Sequence, residues 1–210
     1  MILGLNFATE KLCLAISGTS TEKCYHGQTI KAEFLLEYLD ELLKENNLTL
    51  KNISGIGIAI GPGAFTGLRL SLVTAKTLAL ELNIPLVPVS TLEALAFQYQ
   101  SEAQNRNIRV ILNACRGESA TALFDKNLSR LEPDHIVKTA DAPREKNFFV
   151  LENRPTDAKS VCQLTELAIR HKKILSRVEI LKLVPAYSHD SRINLTNKPE
   201  LRHLKIAKSH

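Results

Sequence analysis

The sequence predicts an α/β fold of two lobes, the second of them reduced. Three observations point there. Residues 2–26 hold three short strand-like runs separated by turn residues. Gly55–Ile60 is wholly apolar and leads through Gly61-Pro62-Gly63 into a long helical pattern, the signature of a buried, parallel strand feeding a helix. The resulting order βββαβαβα is followed by a second, β-rich part, which suggests a duplicated unit with its second copy cut down. The division falls at residues 1–105 and 106–210.

The elements follow in order. Residues 2–7 and 11–17 read as strands, the second alternating Leu12, Leu14 and Ile16 with Cys13 and Ala15. A short third strand is expected over 23–26. A helix is predicted from Thr29 to Asn46, where Ala32, Leu35, Leu39 and Leu42 form one apolar stripe that Leu36 and Leu43 broaden. The helix from Phe65 to Leu82 carries a stripe of Phe65, Leu68, Leu72, Ala75, Ala79 and Leu82. Leu70, Val73 and Leu80 lie off it, so apolar surface extends over more than one face. Asn83-Ile84-Pro85 stops it, and Leu86–Val89 is the next strand. Ser90 and Glu93 form a capping box for a helix to Gln104. In the second half, 108–113 and 120–124 predict a hairpin, 148–151 a strand, 158–173 a helix and 182–187 a last strand. From Ser188 on the chain is polar and expected to be partly disordered.

Composition narrows the function classes. Hydrophobic residues make up 44% and charged residues 23% of the 210 residues, as in soluble domains. No run approaches the ~20 apolar residues of a membrane span, and Met1–Asn6 reads as a strand rather than a signal peptide. Cys13, Cys24, Cys115 and Cys162 form no Cys-x-x-Cys pair. They read as buried or idle thiols of a cytoplasmic protein. Net charge is +5, and Arg192, Lys198, Arg202 and Lys205 give the C-terminal segment the charge expected of a nucleic-acid contact.

Catalytic signatures are weak. The turn at Gly61-Pro62-Gly63 lies where phosphate could bind, yet no Gly-Lys-Ser/Thr follows and Pro62 removes an amide donor. No Gly-x-Ser-x-Gly elbow exists, and no two of the six histidines stand three or four apart. Asn6 and Asn113 end predicted strands where a magnesium-binding or catalytic carboxylate would serve. An amide neither holds Mg²⁺ tightly nor acts as a general base. No catalytic residue, metal site or cofactor is assigned.

The segment Gly61-Pro62-Gly63-Ala64-Phe65-Thr66-Gly67-Leu68-Arg69 and the later Asn83-Ile84-Pro85-Leu86-Val87-Pro88-Val89-Ser90-Thr91-Leu92-Glu93-Ala94-Leu95 resemble the signature of the TsaB family, also called YeaZ. Ile2–Glu10 and Asn113–Glu118 are similar to further family segments, and Pro185-Ala186-Tyr187 faintly so. The resemblance implies an actin-like, sugar-kinase-like (ASKHA) fold of two lobes. It implies a non-catalytic subunit that supports a TsaD-like catalytic subunit, with a TsaE-like ATPase, in forming threonylcarbamoyladenosine at position 37 of tRNA. It also implies a heterodimer, or a homodimer when alone. Its helix-to-helix docking maps onto Leu36, Leu39 and Leu43, and onto Gly67, Ser71, Thr74 and Leu78. Alternatives are a glycoprotease-like (M22-type) peptidase and a nucleotide-binding phosphotransferase of the same fold. The sequence departs from the family at Asn6 and Asn113, each standing for an Asp. It departs also at Arg116, which is displaced, and at Lys31-Ala32-Glu33, which stands for His-Ser-Glu.

Overall fold

The computed structural model describes residues 1–9, 11–26, 34–114 and 116–186. The expectations for Lys31-Ala32-Glu33, Tyr187 and the C-terminal segment lie outside them. Two sheets form the frame. The first has five strands, β1 (Ile2–Asn6), β2 (Lys11–Ile16), β3 (Glu22–His26), β4 (Gly55–Ala59) and β5 (Leu86–Val89), in the order β3-β2-β1-β4-β5. The opening meander is antiparallel, and β4 and β5 add in parallel as expected. The second sheet has the order β8-β7-β6-β9, from β6 (Ile108–Asn113), β7 (Glu118–Phe124), β8 (Arg130–Lys138) and β9 (Phe149–Glu152).

Strand alternation assigns each face of the first sheet to different helices. Leu3, Leu5, Leu12, Leu14, Ile16, Ile56, Ile58 and Leu86 meet α1 (Leu35–Glu45) and α2 (Phe65–Leu82) in one cluster. On the opposite face, Ala59, Val87 and Val89 meet Val161, Leu164 and Ala168 of α4 (Lys159–Arg170), while Ile2, Cys13 and Ala15 meet Ala158 and Cys162. Thus a helix from the second half of the chain completes the first sheet. The N-terminus of α4 is held by carboxylates: Ala158 donates to Glu22 Oε1 at 2.5 Å and Ser160 to Asp157 Oδ1 at 2.9 Å. Between the sheets, α3 (Thr91–Gln98) lays Leu92, Leu95 and Ala96 on Val110, Ala122 and Phe124.

Several sequence expectations are corrected. The expected start of the first helix at Thr29 lies outside the described residues, but α3 stops at Gln98 before a 3-10 turn over Gln100–Ala103 rather than running to Gln104. Ser90 accepts from the Glu93 amide at 3.4 Å, but Glu93 does not reach back; its carboxylate faces Arg130 at 3.7 Å. The strand β8 was not foreseen: its run Arg-Leu-Glu-Pro-Asp-His has few strand formers, and it pairs as an edge, where Pro is tolerated. The strand expected over 182–187 is absent from the described part of that range. A short helix, α5 (Arg177–Lys182), precedes instead, started by a Ser176/Glu179 capping box. Cys13 and Cys24 are not idle thiols: they are direct partners across β2 and β3, Cα to Cα 4.2 Å, and joined as a disulfide. No helix among the described residues is long and apolar enough to cross a membrane.

Candidate functional site

The glycine-rich turn sits at the carboxyl ends of β1 and β4, where α/β folds usually bind ligands. Here its backbone is spent on packing. Gly61 has φ of +113°, and a Cβ on it would lie 2.5 Å from the Ala186 carbonyl oxygen. Ala186 donates its amide to Ile60 O at 2.7 Å, so residues 185–186 close over the turn. At Gly63 a Cβ would overlap the Ala8 carbonyl oxygen, to which the Ala64 amide donates at 2.7 Å. Pro62 follows a cis peptide bond. The turn therefore seats the start of α2 directly on the chain leaving β1.

Asn6 closes the same place from the other side. Its side chain is fully buried. Its Nδ2 donates to Asp157 O at 2.7 Å, and its Oδ1 accepts from the Ala8 amide at 3.2 Å. An aspartate would lack the proton for the first bond, so the Asn suits a closed contact between β1 and the entry to α4. Asn113, at the end of β6, is exposed. Its Oδ1 accepts from Ser119 Oγ at 3.1 Å and its backbone N–H donates to Asn153 Oδ1 at 2.7 Å. Arg116 adopts φ of +59° in the turn that follows. Among the described residues, no three His, Cys, Asp or Glu side chains converge on a point.

The residues expected at a partner surface separate into two sets. Leu39, Leu43, Gly67 and Ser71 are buried in the chain's own core. Ser71 Oγ donates to Gly67 O at 2.8 Å, and a Cβ at Gly67 would overlap the Phe7 carbonyl oxygen. The small residues thus bring α2 close to its own sheet. Leu36 is 58% exposed, and Thr74 and Leu78 are half-buried. The outward line of α2 runs through Phe65, Arg69 and Val73, spaced by four; the Arg69 guanidinium lies 3.9 Å over the Phe65 ring. Thr66 is exposed beside them. Val73, 62% exposed, is one of the three apolar residues expected off the main stripe, whereas Phe65, expected on that stripe, also faces outward at 53% exposure. Arg192, Lys198, Arg202 and Lys205 lie outside the described residues.

Sequence reasoning missed two polar clusters. Arg109, 2% exposed, is clamped by Glu132 at 2.5 Å and Glu145 at 2.6 Å, and its guanidinium holds both carboxyls below the usual carboxylate range. Ser90 Oγ donates to Asp134 at 2.7 Å, and Asp134 pairs with Arg130. Burial pushes the Glu93 carboxyl up, against the pull of Arg130. No spacing signal announces either cluster, because their members come from separate elements.

A family model described as TsaD, tRNA N6-adenosine threonylcarbamoyltransferase, matches residues 30–146, more than half the chain. The chain is 39% identical over 107 residues to the tRNA threonylcarbamoyladenosine biosynthesis protein TsaB of Bacillus subtilis, 48% of this chain and 44% of that one. It is 35% identical over 98 residues to the protein of the same name from Buchnera aphidicola, 47% of this chain and 45% of that one. The matches thus span less than half the length of either relative. YeaZ from Pseudomonas aeruginosa superposes with a TM-score of 0.75 at 18% identity, covering 89% of this chain and 98% of that one. The fold is the actin-like α/β fold of two mixed sheets with flanking helices.

Proposed function

This chain belongs to the TsaB (YeaZ) family, within the wider threonylcarbamoyltransferase family whose model it matches, and from that premise we propose that it is a non-catalytic subunit of the assembly that forms threonylcarbamoyladenosine at position 37 of tRNA in the cytoplasm. Its partners are a TsaD-like catalytic subunit and a TsaE-like ATPase. The observation that carries this reading is the closure at Asn6. Where a metal ion would need a carboxylate and a phosphate would need open space, an amide is bonded on both sides, to the Asp157 carbonyl and the Ala8 amide, and Ala186 seals the turn beside it.

Docking is assigned to the outward sides of α1 and α2, through Leu36, Phe65, Val73, Thr74 and Leu78. Exposed aliphatic and aromatic side chains on adjacent helices are the usual material of a helix-to-helix interface.

The test is co-purification with the TsaD-like subunit of the same organism, with tRNA modification as the readout. Wild-type chain elutes with the subunit and raises modification. Val73→Glu and Leu36→Glu leave the melting temperature unchanged, since both side chains are mostly in solvent, but weaken association by about tenfold or more, the ~1.5–3 kcal/mol of an interface anchor. Separate elution of the wild-type proteins at micromolar concentration, or full modification without this chain, overturns the proposal.

A further inference from the structure

We propose that the corner formed by the end of α4 and the helix α5 is a cationic track for an RNA phosphate backbone, at the start of a stretch of sequence rich in Lys and Arg. The choice of RNA rests on the tRNA reading above. The charge of the chain is strongly segregated. Residues 170–210 hold ten lysines and arginines against three acids, a net +7. The 169 residues before them hold 17 against 19, a net −2. The net positive charge of the protein therefore arises in its last fifth. A basic block at one end of a slightly acidic domain is the distribution expected for binding a polyanion.

The described part of this block is arranged on the surface. Lys173 lines a small cavity with Val87 and Glu93 on one face of the first sheet, whereas Leu175 packs into the cluster on the other face. The connection thus passes around the edge strand β5. Lys76 fixes its far end by donating to Leu181 O at 2.8 Å and Leu183 O at 3.1 Å. Along this path Arg170, His171, Lys172, Arg177 and Lys182 are exposed. None of Arg170, Lys172, Arg177 and Lys182 forms an ion pair with another described residue. Glu179, the acid within the path, is engaged by Ser176 in the α5 cap. One or two cations would satisfy the C-terminal dipole of α4. The rest of the charge on Arg170, Lys172, Arg177 and Lys182 has no counter-ion among the described residues. Ile174, Val178 and Leu181 stand exposed between the cations, which would also suit an acidic protein. The number of uncompensated charges, continued in sequence by Arg192, Lys198, Arg202, Lys205 and Lys208, favours a polyanion.

The experiment uses the full chain and unmodified, folded tRNA in fluorescence anisotropy across a salt series. Two variants carry the same change in net charge. One reverses Arg170, Lys172, Arg177 and Lys182 to Glu; the other reverses Lys51, Lys126, Lys146 and Lys159, exposed elsewhere. Wild type binds with a logarithmic salt slope of about −3 or steeper, as for four or more phosphate contacts. The corner variant weakens binding by at least ~30-fold at low salt, and the control by less than ~3-fold. Equal loss in both variants, or no binding by wild type, overturns the proposal. So does an unchanged tRNA affinity in a corner variant that has lost binding to poly-glutamate or to the TsaD-like subunit, since the corner then serves a protein. Co-purification of both variants with that subunit is scored separately, so failure of RNA binding is distinguishable from failure of the subunit reading.

Discussion

Gly57 of β4 lies directly beneath Thr165 of α4, so close that a Cβ on the glycine would overlap the threonine hydroxyl. Thr165 is fully buried, and its Oγ1 donates back to Val161 O at 2.7 Å. The hydroxyl needs nothing from the sheet and fills the space a side chain would take. Gly57→Ala should therefore force α4 outward and cost about 1–3 kcal/mol, lowering the midpoint of chemical denaturation. Thr165→Ala in the same chain removes the overlapping atom and should recover part of the loss. Additive losses in the double variant would show that the two positions are not in contact.

This contact also marks the limit of what was legible in the sequence. The elements with strong internal periodicity, from β1 through α2 to β5, declared themselves, because burial on one or both faces imposes a pattern that local spacing reveals. The partner of a face is not local. The helix over 158–173 was expected, but not that α4 would cover Gly57 on the first sheet. The polar strand β8 carries little pattern because its outer edge meets solvent. At the candidate site, Gly61–Arg69 was found by its composition, whereas the seals on it, Asp157 and Ala186, are distant in sequence and chemically plain. The docking residues were half legible. Spacing on a helix gives its stripes, but which stripe faces the sheet is decided by the close approach at Gly67.

Restoring a carboxylate at position 6 separates a closed contact from a dormant catalytic site. Asn6→Asp sets an acceptor against the Asp157 carbonyl, now 2.7 Å from Nδ2, in a fully buried place. The expected cost at neutral pH is about 3 kcal/mol, for an unpaired buried charge and a lost bond. The new carboxyl has a raised pKa in the folded state, because only its neutral form can donate to Asp157. The destabilisation therefore grows as pH rises through the unfolded carboxyl value and shrinks in acid. Denaturation midpoints at several pH values measure it. Titration calorimetry with Mg-ATP should register no binding to either wild type or variant; a gain of binding by the variant would mean that the contact between β1 and the entry to α4 opens.

The Arg109 cluster predicts an acid limit to stability. Glu132 and Glu145 are held below their ordinary value of 4.5 by the Arg109 guanidinium. Their folded pKa values are depressed, so their contribution is complete above the unfolded value and is lost as pH falls through the folded values. Glu132→Gln with Glu145→Gln should flatten this acid-side slope. At neutral pH the pair should cost about 2–3 kcal/mol. That is below the ~3–5 kcal/mol of a fully buried broken pair, because these carboxylates are 38% and 30% exposed. An unchanged slope below pH 4.5 would assign the acid sensitivity elsewhere.

The disulfide between Cys13 and Cys24 predicts an asymmetric pattern of thiol reactivity. Cys13, in β2, is fully buried in the cluster with Ala158 and Cys162, while Cys24 is exposed on the edge strand β3. Burial pushes the Cys162 thiol up to about 12, so it is neither accessible nor ionised. In a Cys115→Ser background, oxidised protein should therefore take up no alkylating reagent under native conditions. After reduction, Cys24 should label first, with Cys13 and Cys162 protected until the protein unfolds. The bond closes a loop between residues 11 apart, worth about 2–3 kcal/mol by chain entropy. The strand it ties also holds α1, since Lys23 pairs with Glu45 at 2.5 Å and Tyr25 stacks on Tyr38 at 3.6 Å. Reduction should thus lower the denaturation midpoint and raise hydrogen exchange in β3 and α1 before the rest of the sheet. Peptide mapping without reductant checks the bond itself. Equal labelling of Cys13 and Cys24 in the reduced native state would show that the edge strand detaches rather than merely losing its covalent tie.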